Sequence, residues 1–190
     1  MASSSPSVGL TTWEIDPAHT RVEFSVKHMM FVTVKGSFAD VRGTLRLDEA
    51  DPSRSSVEAE IDAASLHTGD GRRDAHLKSA DFLDAEKYPT ITFKSTRVEV
   101  LGSDHARVVG DLTIHGVTRE VELDTELTGH GTTPFGTNIA GFEAKTTINR
   151  KDFGLNWNVS LEAGGVLVGD TIKIEIYAEA VEETELMGTG

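Results

Sequence analysis

The stretch Asp62-Ala-Ala-Ser-Leu-His-Thr-Gly-Asp-Gly-Arg-Arg-Asp-Ala-His-Leu-Lys-Ser-Ala-Asp-Phe-Leu-Asp-Ala-Glu-Lys-Tyr-Pro-Thr-Ile-Thr-Phe-Lys94 is the one helix-like insert in a chain otherwise written in strands. Gly69, Asp70 and Gly71 supply turn chemistry, and Arg72 to Ala80 holds helix formers with Leu77 and Ala80 three residues apart, which predicts one short helix. Tyr88-Pro89 then imposes extended geometry, because the proline ring disfavours helical backbone at the residue before it, and a strand restarts at Thr90. Set into one end of a closed sheet, such a helix would act as a lid or plug.

Outward from the insert the period is two, the pattern of strands with one buried and one wet face. Val22, Phe24 and Val26 alternate with Arg21, Glu23, Ser25 and Lys27, and Leu45 and Leu47 oppose Thr44, Arg46 and Asp48. Val57, Ala59 and Ile61 oppose Glu58, Glu60 and Asp62, while Val121, Leu123 and Leu127 oppose Glu120, Glu122, Asp124 and Glu126. Ile172, Ile174, Ile176, Ala178 and Ala180 give the clearest row. Turn residues at Asp51-Pro-Ser, Leu101-Gly-Ser-Asp104, His115-Gly-Val-Thr118, Gly129 to Pro134 and Val168-Gly-Asp170 separate these runs into about eight strands. So many one-sided strands must close into a barrel or pack as a sandwich, since an open sheet leaves its edges unpaired. No fixed repeat is visible, which disfavours a propeller or solenoid.

The 190 residues suit one domain, placed over 12–181, with 1–11 and 182–190 read as loose ends. Lys plus Arg number 18 against 31 Asp plus Glu, a net charge of -13 that repels nucleic-acid phosphates and anionic lipid surfaces. Without cysteine there is no disulfide, thiolate nucleophile or Cys-ligated metal. Met1 to Leu10 has neither a basic nor an apolar leader region, so the expected compartment is the cytoplasm, and no apolar run is long enough to span a membrane. The histidines lack HExxH or His-x-His spacing, so no metal site is expected, and the hydrolase and nucleotide-binding signatures are missing. Most carboxylates alternate outward, as on a solvated face.

Two polar residues stand on apolar faces: His28 continues the row Val22, Phe24, Val26, and Arg150 continues Phe142, Ala144, Thr146, Ile148. A buried guanidinium needs an anionic or carbonyl partner, so Arg150 could meet an anionic head group or a structural acid such as Asp152. His28 could donate to a ligand oxygen or be a core histidine satisfied by backbone. Trp157 is a portal or packing residue, and Phe82 and Leu83 could close a tunnel end. On the residues alone, a barrel of this size can be filled by side chains or hold one ligand, and both remain open.

Four ordered motifs resemble the YceI-like family. The opening stretch carries its Asp-Ala-x-Ser-Leu turn, Arg-Asp-x-His-Leu core and Tyr-Pro; Ile15-Asp-Pro-Ala-His-Thr20 is similar to its opening strand pair; Gly110-Asp-Leu-Thr-Ile-His-Gly-Val-Thr-Arg-Glu-Val121 and Gly141-Phe-Glu-Ala-Lys-Thr-Thr-Ile-Asn-Arg-Lys-Asp-Phe-Gly-Leu155 are similar to its later elements. The resemblance implies an all-β fold, an extended eight-stranded antiparallel lipocalin-like barrel with one short helical insert. It also implies an apolar tunnel that binds, stores or transports an isoprenoid lipid, a polyprenyl phosphate or pyrophosphate or a quinone, without catalysis and without a further cofactor. Its wall would include Phe24, Val26, His28, Phe82, Phe93, Leu112, Ile114, Phe142, Ile148, Arg150, Trp157 and Ile174. An enzyme acting on the lipid head group through His28 and Arg150, or an interaction barrel with a filled core, are the alternatives. The resemblance further suggests homodimers. Well-known members are periplasmic, and that setting is not carried over to a chain without a recognisable signal peptide.

Overall fold

A computed structural model describes residues 9–184. Its strands are β1 (Thr11–Ile15), β2 (Arg21–His28), β3 (Val32–Phe38), β4 (Val41–Leu47), β5 (Ser56–Asp62), β6 (Leu66–His67), β7 (Thr90–Val100), β8 (His105–Ile114), β9 (Val117–Thr132), β10 (Asn138–Asn149) and β11 (Thr171–Glu182), with helix α1 (Gly71–Lys78) between β6 and β7. All pairings are antiparallel, in the order β1-β4-β5-β7-β8-β9-β10-β11, and β11 returns to β1. The sheet closes on itself, which removes the edge problem that the alternating strands raised.

The shorter segments are pieces of long strands. β1 and β2 run end to end along β11, β3 and β4 run back along them, and β5 and β6 lie against β4 and β3. Three interrupted strands and the five continuous ones make the closed eight-stranded barrel that was expected. The breaks fall side by side, at residues 16–20, 39–40 and 63–65, and side chains replace the ladder there. Ser65 Oγ accepts from the Asp40 amide at 3.2 Å and donates to the Asp62 carbonyl at 2.7 Å. Buried Thr20 exchanges hydrogen bonds with the backbone of Glu179. The Asp40 amide, the Asp62 carbonyl and the Glu179 backbone thus find partners at the bend.

Inward faces follow the predicted alternation, but the packed core is split. One cluster gathers Val22, Phe38, Leu66, Leu83, Ile91 and neighbours under the helical insert, which we term the lid end. The other holds Trp13, Ala140 and Ala180 at the far end, with Leu45, Leu47, Leu127 and Phe142 packed on it. The helix starts one residue before the expected stretch, with Asp70 accepting from the amides of Arg72 and Arg73, and it stops at Lys78. Thr11 and Glu182, expected in the loose ends, belong to strands: Thr11 pairs with Leu47 and Glu182 with Trp13. The expectation for residues 1–8 and 185–190 lies outside the described residues.

Candidate functional site

The lid is fastened by the charged core of the opening stretch. Arg73 donates from Nε to Thr68 Oγ1 and from Nη2 to the Thr68 carbonyl, both at 2.8 Å. Buried Asp74 accepts from the Thr68 amide at 2.9 Å and from its hydroxyl at 2.5 Å. Burial pushes the Asp74 carboxyl up, but the Thr68 bonds and the nearby His67 and Lys78 outweigh it and hold the group below its ordinary value. His76 meets Asp81 at 2.9 Å and presents its ring edge-on to Phe82 and to Trp157, with centroids 5.1 and 4.6 Å away. Phe82 and Trp157 are themselves 5.3 Å apart, so helix and loop share one aromatic roof.

Other motifs serve the same end of the barrel. His115 and Gly116 form the two-residue turn between β8 and β9, with φ of 55° and 71°. The Tyr88 ring packs on this turn, 4.8 Å from His115, and a Cβ at Gly116 would come within 2.7 Å of it. Arg150, 1 % exposed, donates from Nε to Gly169 O (2.8 Å), from Nη1 to Leu155 O (2.6 Å) and Trp157 O (2.9 Å), and from Nη2 to Val168 O (3.3 Å). Burial lowers its pKa, and Asp170, 3.7 Å from Nη2, counteracts this. The acid beside Arg150 is therefore Asp170, in the turn before β11, while Asp152 is exposed. Asp16 and His19, in the turn between β1 and β2, bond at 2.7 Å, which lowers the carboxyl and, with Glu179, raises the imidazole. Asp16 also caps the Ala18 amide, so the pair braces the bend.

Between the two packed clusters lies a cavity of about 1040 Å³. It is at the upper end of ligand-pocket sizes. Every wall residue expected from the sequence borders it. Phe24, Phe93 and Ile174 face it from β2, β7 and β11 and stay only half-buried, while Leu112, Ile114 and Ile148 are buried near the lid. Phe142 borders its far half, Phe82 and Trp157 its roof, and Val26 leads to the rim. His28 stands exposed on that rim, paired with Val32 and bridged to Val168, so it is not a core histidine. Arg150 borders the same end with its donors turned onto carbonyls. The expected wall reached the far end only at Phe142: Trp13, Leu45, Leu47, Leu127 and Ala140 also line the cavity there. Trp13 is in period with Ile15, a signal outside the ordered motifs. Alanines 59, 144 and 178 line the middle, where larger residues would have filled it.

A closed antiparallel barrel with an apolar hollow and one short helix across its end defines a lipocalin-like barrel. The YceI-like domain matches residues 13–180, and the chain belongs to that family. It is 39 % identical over 171 residues to the UPF0312 protein SAS2572 of Staphylococcus aureus (strain MSSA476), covering 90 % of this chain and 97 % of the relative. The solved structure of Burkholderia cenocepacia BcnA is similar with a TM-score of 0.75 and 25 % identity, covering 87 % of this chain and 98 % of that one. A polyisoprenoid binding domain from Saccharophagus degradans shares the fold at a TM-score of 0.64 and 15 % identity, covering 92 % of this chain and 99 % of that one.

Proposed function

We propose that this protein binds and carries a long-chain isoprenoid lipid, a polyprenyl phosphate or pyrophosphate or a quinone, and releases it chemically unchanged. The observation that carries the reading is the hollow itself. Inward residues such as Phe24, Phe93, Leu123, Ile174 and Ile176 would be fully buried in a filled barrel, yet they keep accessible surface toward the cavity. An apolar wall with no regular array of polar partners recognises length and hydrophobicity, which suits a repeating hydrocarbon. Each buried CH2 contributes about 0.8 kcal/mol, so a few isoprene units offset the cost of ordering the chain. The Saccharophagus degradans domain named for polyisoprenoid binding, with the same fold, supports the choice of guest.

Organic extraction of the natively purified protein followed by mass spectrometry should yield a prenyl lipid, and stripped protein should take one up from detergent micelles. Incubation with polyprenyl pyrophosphate or quinone should return them unaltered. Protein that yields no long apolar molecule and takes up none ends the carrier reading, and turnover ends the claim that it acts without catalysis.

A further inference from the structure

The hairpin joining β2 to β3 places Met29, Met30, Phe31 and Val32 in succession at its tip, 37, 55, 78 and 54 % exposed. Four large apolar side chains left together in water mark an interaction surface rather than chance exposure. Met29 and Met30 also hold left-handed backbone, with φ of 54° and 71°, a region that glycine and asparagine enter easily and other side chains avoid. The tip is joined to the cavity rim. The Met29 amide donates to Leu167 O at 2.9 Å, His28 bridges to Val168, and the Leu167 amide donates to Val159 O. Val159, 46 % exposed, extends the patch. The charge along the hairpin is reversed relative to the whole chain: residues 25–39 carry Lys27, His28 and Lys35 and no carboxylate, in a protein with 31 acids and 18 Lys plus Arg, and the turn whose Gly165 lies beside Met30 adds one, Glu162.

We infer that this hairpin is a reversible docking element for a lipid bilayer, seating the rim of the cavity on the membrane so that the guest passes without crossing water. The inference rests on the isoprenoid-carrier reading. Methionine thioethers and a phenylalanine fit the disordered boundary between head groups and acyl chains, and the two lysines fit lipid phosphates. A second copy seated tip to tip would instead bring Lys27 and Lys35 against their own kind. The net charge of -13 opposes an anionic surface as a whole, which keeps docking oriented and reversible.

Co-sedimentation of the full chain with phosphatidylcholine vesicles, with and without phosphatidylglycerol, tests this. The wild type should sediment with vesicles. The double variant Met30→Asn, Phe31→Ser should partition roughly tenfold less or weaker still. Its thermal midpoint should be unchanged or higher, since asparagine tolerates the left-handed backbone. Lys27→Glu with Lys35→Glu should remove only the increment due to phosphatidylglycerol. Uptake of isoprenoid from micelles should be the same in all of them, so a failed carrier reading appears in that assay and a failed docking inference in sedimentation. Wild type that stays in the supernatant, or a double variant that sediments equally, overturns docking. So does a dimer, seen by light scattering, that the double variant disperses, because the patch is then a contact between copies.

Discussion

Arg150 is charged, almost wholly enclosed and matched to four backbone carbonyls, so its value lies in the loop it organises. Replacing it with methionine would take this donor from the Gly169, Leu155 and Trp157 carbonyls, while Val168 O keeps the Asn158 amide at 2.7 Å and Asp170 keeps Lys151 at 3.4 Å. Leaving a buried acceptor unpaired costs about 1–3 kcal/mol, so three such carbonyls amount to on the order of 3–5 kcal/mol. For a chain of this length that lowers the melting midpoint by on the order of 10 °C, measurable by differential scanning calorimetry. Arg150→Lys should rescue little, because an ammonium cannot reproduce the planar fork that reaches both Leu155 and Val168. The inward position of Arg150 was legible in the row from Phe142 to Ile148. Its partners were not, because backbone carbonyls leave no mark in a sequence and Asp170 lies in a different turn. His28 shows the converse, since its row was read correctly but ends outside the barrel, at the rim.

At the scale of elements, the lid hangs on the grip of Arg73 and Asp74 on Thr68. The Asp74 carboxyl is held below its ordinary value, so its contribution is complete above about pH 4 and is lost as the pH falls through the lowered value. The protection of amides 68–78 against hydrogen exchange, taken relative to their intrinsic rate at each pH, should therefore fall on acidification through that window. Asp74→Asn should show faster exchange already at neutral pH and a much smaller acid response over the same amides. The strands were legible from their period of two, and the helix from the break in it. The interruptions in three adjacent strands were not, because inward and outward positions keep their alternation across the bend: Ile61 and Ala63 both turn inward around Asp62.

For the molecule as a whole, the division of the core into two clusters makes stability depend on what lies between them. A ligand that binds only the folded state adds about 2.7 kcal/mol at a hundred times its dissociation constant. If the protein carries the isoprenoid proposed above, stripping that lipid should therefore lower the melting midpoint by roughly 5–10 °C, with recovery on reloading. Closure of the barrel was legible, since alternating strands need partners on both edges. Whether it was full was not, because the same leucines, isoleucines and phenylalanines line a packed core and a hollow one; the difference lies in where the alanines fall. Ala63 is 0 % exposed in the lid-end cluster, and Ala140 and Ala180, 3 and 0 % exposed, pack with Trp13 where the cavity ends, so a larger residue at any of them presses on filled space. Ala59, Ala144 and Ala178 look into open space. Ala144→Phe should leave the fold intact and shorten the longest isoprenoid taken up, read by mass spectrometry of the loaded protein, whereas Ala180→Phe should compromise folding. In the carrier proposed above, positions 59, 144 and 178 are thus where single substitutions would alter the gauge of the guest, while the packed residues at the two ends hold the architecture.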